Sequence, residues 1–360
     1  MSLKSDITLN AAAFDPANTS SATHKLNESL IAQGKAGPKW WEVGAAKYRE
    51  MRWNNQTPLP RPPVIESGKN GTLPSREKGR DIPYRMFLPE AQGGKTEGDG
   101  QPGGVFMHIH GGGWTLMTEH FQDSYLKFLA DNSGLAVVSV GYRLAPEDPF
   151  PKGPEDCYDA AEFLVEQGKE KFGGELVMMG GEASLLPRSA GGHLSLLTAL
   201  HLLHHRPSHR LKGLVLNFGA FDLSFLPSTH HFQKPLIIDW EIMNRYIDAF
   251  LPGMPVEAPQ TQGTAEKQVT RRSPEVSPFY ADLSQLRGKL PPALFTCGTE
   301  DPLLDDSVMM GAKWMAAGGE AVVRIFTGAP HGFILFPKEQ CEAAGEGMDV
   351  IKAFIEKYLQ

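Results

Sequence analysis

From Asp81 onward, short runs of apolar, β-branched and aromatic residues alternate with longer stretches whose apolar positions recur at helical spacing. The short runs predict strands at Ile82–Leu88, Val105–His110, Ala136–Tyr142, Leu176–Gly180, Gly213–Asn217, Ala293–Cys297 and Val322–Phe326. The longer stretches predict helices at Ser124–Asp131, Glu155–Gln167, Gly192–His204, Ser307–Ala317 and Gly347–Tyr358. Runs such as Ala136-Val137-Val138-Ser139-Val140 are apolar on both faces, which a strand needs when helices cover both sides of its sheet. Strand–helix alternation of this kind predicts an α/β fold with a mostly parallel central sheet and helices on both faces.

The rhythm breaks twice. Between Phe221 and Pro292 no strand is predicted for about 70 residues, too long for a structureless loop. That interval carries one amphipathic helix, Asp239–Phe250, with Trp240, Met243, Ile247 and Phe250 on one face, followed by a polar stretch over 257–272. Residues 1–75 are rich in Ser, Asn, Pro and Gly around a helical island holding Trp40 and Trp41, with Trp53 beyond it. Exposed indoles reduce solubility, so this arm is expected to pack on the main body, where it can also roof a pocket. The organisation expected is an N-terminal arm over 1–75 forming part of a helical cap, then an α/β domain over 76–360 with a cap insertion at about 221–290, placed over the carboxyl ends of the strands.

Length and charge narrow the partners. The 360 residues have a net charge of −7, which gives no basic footprint for nucleic acid. No apolar run approaches the ~18 residues that span a bilayer, and the N-terminus lacks the apolar core of a secretion signal. The three cysteines, Cys157, Cys297 and Cys341, are too scattered for a disulfide framework or a zinc site, so a cytoplasmic setting is expected. His201, His204, His205 and His209 bring no carboxylate with them in sequence, and at the end of a helix they complement its dipole. No metal and no cofactor are expected.

The chemistry sits at predicted strand ends. His110-Gly111-Gly112-Gly113-Trp114 follows a strand, and its bare glycines let several N–H groups face one cavity, as an oxyanion hole requires. Asp301 and His331 each follow a later strand, the chain order in which α/β-hydrolases supply the orienting carboxylate and the general base. Taken singly, Asp301 reads equally well as a helix cap and His331 as a turn residue.

With these motifs, and with Tyr142-Arg143-Leu144-Ala145-Pro146-Glu147, Asp301-Pro302-Leu303 and His331-Gly332-Phe333, the chain resembles the hormone-sensitive-lipase-like carboxylesterases of α/β-hydrolase fold from about Asp81 to its C-terminus. The resemblance implies a serine esterase acting on small to medium acyl esters, with a catalytic triad of Ser189, Asp301 and His331. It implies an oxyanion hole from Gly111, Gly112, Gly113 and Ala190, and substrate contacts from Trp114, Trp240 and Phe333. The partner expected is a small-molecule ester, with no nucleic acid, no stable membrane insertion, and homodimerisation left open.

One motif departs from the family. Its nucleophile sits in Gly-x-Ser-x-Gly, whereas Gly181-Glu182 and Ser189-Ala190-Gly191 are separated here by Ala183-Ser184-Leu185-Leu186-Pro187-Arg188. Removing that insertion restores the motif, so Ser189 is preferred over Ser184, with impaired activity expected. The rival reading is a small-molecule-binding pseudoenzyme on the same fold. Such proteins usually lose the triad histidine, and His331 and Asp301 are both present.

Overall fold

Val105–Ile109, Ala136–Val140 and Gly213–Asn217 are buried at every position, which places them inside a sheet covered on both faces. The computed structural model describes residue 5 and residues 7–34, 37–58, 61–90, 102–182, 190–258 and 268–360. Within these, the strands are β1 (Lys69–Pro74), β2 (Asp81–Phe87), β3 (Val105–Ile109), β4 (Ala136–Val140), β5 (Leu176–Gly181), β6 (Gly213–Asn217), β7 (Ala293–Glu300) and β8 (Ala321–Pro330). They form one sheet in the order β1-β2-β4-β3-β5-β6-β7-β8. β4 through β8 pair in parallel, and β1 and β2 are antiparallel at one edge. The α/β-hydrolase expectation of a mostly parallel sheet holds.

The helices are α1 (Ser21–Gly34), α2 (Trp40–Val43), α3 (Ala45–Trp53), α4 (Asp123–Ser133), α5 (Lys152–Phe172), α6 (Ala190–His205), α7 (Pro227–His231), α8 (Trp240–Phe250), α9 (Leu304–Ala316) and α10 (Glu342–Leu359). α6 is apolar almost all round and buried from Ala190 to Leu200, as a helix at the centre of a large core must be. α8 begins where Asp239 accepts a hydrogen bond from Ile242 N at 2.9 Å, so the predicted first residue is its N-cap.

Most ends move by a few residues, and β1 and α5 depart from the sequence reading for physical reasons. β1 was not predicted, because only Leu73 of its residues is buried and its Asn, Gly and Pro carry no alternation. It forms by pairing along β2, with Gly71 lying against the ring of Tyr84 where any side chain would collide. α5 runs past its predicted end at Gln167 through a buried Gly168, and stops only at the left-handed Gly173.

The N-terminal arm packs on the body. Trp40 is buried and packs, tilted, at 4.9 Å from the ring of Tyr246 of α8, and Arg49 bonds Thr115 O and Glu147 at 2.6 Å. Closer to the N-terminus, Ala13 O accepts from Thr327 Oγ1 at 2.8 Å, and Asn27 Nδ2 donates to Gly328 O at 2.9 Å, so the arm also borders β8.

Candidate active site

Four parallel strands deliver the chemistry-bearing residues at their carboxyl ends: His110 after β3, Glu182 after β5, Asp301 after β7 and His331 after β8. Asp301 and His331 meet. His331 Nδ1 lies 2.7 Å from Asp301 Oδ2, and both side chains are buried. A carboxylate accepts, so Nδ1 carries the proton and Nε2 presents its lone pair. That Nε2 is buried and has no hydrogen-bond partner among the described residues. The second oxygen of Asp301 accepts from Leu303 N at 2.9 Å, which fixes the carboxylate at the turn into α9. Phe218 packs at 5.5 Å from the His331 ring and at 5.3 Å from Phe333.

The glycine shelf is held from its carbonyl side. Gly111 O accepts from His110 Nδ1 at 2.8 Å, Gly112 O from Leu116 N at 2.9 Å, and Gly113 O from Thr115 Oγ1 at 2.9 Å. A trans peptide points its C=O and N–H in opposite directions, so the N–H groups of Gly112, Gly113 and Trp114 face away from these internal donors. Positive φ at Gly112 (105°) and Gly113 (62°) favours glycine at both positions of that turn. Tyr246 of α8 closes against Gly113, whose Cβ, were there one, would stand 2.5 Å from Tyr246 Cδ1.

Behind the shelf, the His110 ring stacks on Tyr142 at 4.3 Å, and Tyr142 Oη donates to His110 O at 2.9 Å. Burial lowers the His110 pKa to about 4. Between pH 7 and pH 5 the unfolded chain, at about 6.5, takes up a proton that the native chain does not. Stability therefore falls with pH by about 2 kcal/mol from this residue. In urea unfolding, the advantage of the parent over His110→Asn is expected to shrink by that amount from pH 7 to pH 5; a constant gap counts against a neutral His110.

The two ends of the segment expected to carry the nucleophile are apposed. A Cβ on Gly191, near the start of α6, would stand 2.7 Å from Glu182 O and 2.8 Å from Glu182 N, so the end of β5 and the first turn of α6 are in contact. Ser189 and Ser184 lie outside the described residues. Ala190 is buried at the first position of α6. Glu182 is fully buried, with Oε2 at 2.6 Å from His108 Nε2, while His108 Nδ1 meets Ser139 Oγ at 2.8 Å. Burial raises the Glu182 carboxyl against the opposing pull of His108. The spacing of His108 and Glu182 along the chain does not pair them; two titratable residues at the ends of what become adjacent strands are the available signal.

The three expected substrate contacts are placed differently from one another. Trp114 is buried, stacked on Phe250 at 4.6 Å. Phe333 is buried against Phe218 and Phe326. Trp240, the first residue of α8, is 44% exposed, and no described contact joins it to the His331–Asp301 pair. The histidines of α6 need one correction: a carboxylate does accompany them, because α5 brings Glu162 Oε1 to 2.6 Å from His201 Nε2, with His205 stacked on the same ring at 4.1 Å. Among the described residues no helix is long and apolar enough to cross a membrane.

Comparisons with known proteins agree with the fold. A family profile described as alpha/beta hydrolase fold matches residues 106–335. The chain is 28% identical over 285 residues to a carboxylesterase, NlhH, of Mycobacterium tuberculosis, covering 76% of this chain and 78% of that one. It is 24% identical over 282 residues to an ethyl acetate hydrolase of Pseudomonas putida, covering 78% and 80%. Among solved structures, a hyperthermophilic esterase from the archaeon Pyrobaculum calidifontis superposes with a TM-score of 0.70 at 28% identity, over 94% of this chain and 98% of that one.

Proposed function

Since the chain belongs to the α/β-hydrolase fold family, among its hormone-sensitive-lipase-like carboxylesterases, we propose that it hydrolyses small acyl esters through an acyl-enzyme on Ser189. The observation that carries the reading is the buried His331–Asp301 pair, whose Nε2 lone pair, unpartnered among the described residues, is what a general base needs.

In the first step His331 Nε2 takes the Ser189 hydroxyl proton while Oγ bonds to the ester carbonyl carbon. The carbonyl π electrons move to oxygen, and the N–H groups of Gly112, Gly113 and Ala190 bind that oxyanion, with Gly111 shaping the turn. Asp301 holds the imidazole in its reactive tautomer and stabilises the imidazolium. As the tetrahedral intermediate collapses, the C–O bond to the alcohol breaks and His331 returns its proton to the leaving oxygen. Water then repeats the sequence on the acyl-enzyme, releasing the acid and regenerating Ser189.

These residues carry every proton transfer in that cycle. The ethyl acetate hydrolase among the relatives supports a short acyl group. Three cysteines, free and buried, suit a reducing, cytoplasmic setting.

Labelling is the direct test. A fluorophosphonate probe is expected to bond to Ser189, identified by mass spectrometry of the peptide carrying it, with p-nitrophenyl acetate and butyrate hydrolysis lost in parallel. A label on Ser184 would move the nucleophile. No label and no hydrolysis, with the folded chain still binding an ester analogue, would favour the pseudoenzyme instead.

A further inference from the structure

We propose that His193 fixes the spacing between the two halves of the oxyanion hole, as a positioning residue that never touches the ester. The inference rests on the esterase reading above. One half of the hole is the glycine shelf that ends in Trp114; the other is the N–H of Ala190 at the start of α6.

His193 lies on α6, one turn beyond Ala190, and is fully buried. Trp114 Nε1–H donates to its Nδ1 at 3.2 Å. Its Nε2 lies 2.8 Å from Val276 O. A carbonyl oxygen only accepts, so Nε2 carries the proton and Nδ1 the lone pair. One neutral tautomer satisfies both partners at once. Burial lowers the pKa of this ring to about 4, so that tautomer persists in neutral solution.

The partner on the shelf is under constraint. Trp114 has φ of +59°, a left-handed backbone that a bulky side chain seldom adopts. Its indole is clamped between the edge of the His193 ring at 5.2 Å and the face of Phe250 at 4.6 Å. A backbone held in an unfavourable region persists only where its surroundings over-determine it. The His193 bond is the part of that restraint that comes from α6 itself. It therefore ties the turn aiming the Gly113 and Trp114 peptides to the same helix that carries Ala190. Through Nε2 it also fastens Val276, in the segment between β6 and β7, to the same point.

Two conservative substitutions separate the bonds. Asparagine puts a carbonyl oxygen near the Nδ1 position, so His193→Asn keeps the acceptor for Trp114 and loses Val276. Glutamine puts an amide N–H near the Nε2 position, so His193→Gln does the reverse. His193→Gln is expected to lower kcat for p-nitrophenyl butyrate by about 10-fold or more with KM held within about 2-fold, because the defect falls on the transition state. His193→Asn is expected to stay within about 3-fold of the parent in kcat.

The indole N–H resonance of Trp114, assigned in tryptophan-labelled protein with Trp114→Phe, should shift in the Gln variant and stay in the Asn variant. Equal kcat losses in the two variants, or losses that simply follow their unfolding temperatures, overturn the positioning role and leave a packing histidine. If the parent and a version lacking Ala183–Arg188 both hydrolyse no ester, the esterase reading falls and this role falls with it. An indole resonance that still distinguishes Gln from Asn then marks that failure as one of the reading and not of the hydrogen bond.

Discussion

Replacing His331 with glutamine is expected to lower kcat for p-nitrophenyl butyrate by about 10⁴-fold or more, with little change in KM. Glutamine keeps a polar group of similar reach but offers no basic nitrogen, so it removes the proton acceptor and leaves binding in place. The imidazole is held on one side by Asp301 at 2.7 Å and packed by Phe218 at 5.5 Å, and its remaining nitrogen is buried. Steady-state kinetics with a matched unfolding curve check this. A loss below about 10-fold in a folded variant would remove His331 from the chemistry.

The second large effect is a gain. Deleting Ala183–Arg188 is expected to raise kcat/KM by about 100-fold, the scale on which a misplacement of about 1 Å slows an enzyme. The physical basis is the close approach of Gly191 to the backbone of Glu182: strand end and helix start already lie against each other, and the deletion leaves a single residue to join them. With the deletion, that residue is Ser189, and Gly181 regains its place two positions before it, where the tight turn requires a bare Cα. A deletion variant with an unchanged melting temperature that hydrolyses esters no faster than the parent would show the insertion to be harmless. A variant that fails to fold would show that the two ends depend on it.

How much of this was legible in the chain divides by physical cause. β3, β4 and β6 were readable because each is a continuous apolar run buried on both faces, a pattern that tertiary context only reinforces. β1 was not, since an edge strand with one buried residue is specified by its partner's hydrogen bonds and hardly at all by its own side chains. Asp301 and His331 could be found because the order of motifs along an α/β chain maps onto neighbouring strand ends.

The pairings across elements were invisible for the opposite reason. Glu182 with His108, His193 with Trp114, and Glu162 with His201 are each brought together by strand order or helix packing, which no local spacing encodes. The aromatic expectations divided likewise. Trp40 found cover on Tyr246, as an apolar ring must, whereas Trp240 fell at the helix start, with its indole substantially in water.

The bonds from Asn27 to Gly328 and from Thr327 to Ala13 join positions separated by 301 and 314 residues. During translation the arm therefore leaves the ribosome well before it can be seated, since its binding surface on β8 is made some 300 residues later. Trp40 likewise has no shelter until Tyr246 has been made. Contacts this distant in sequence slow the final assembly step and leave an apolar nascent segment exposed to chaperones and self-association. Expression yield should thus respond to elongation rate and temperature more sharply than the finished fold does.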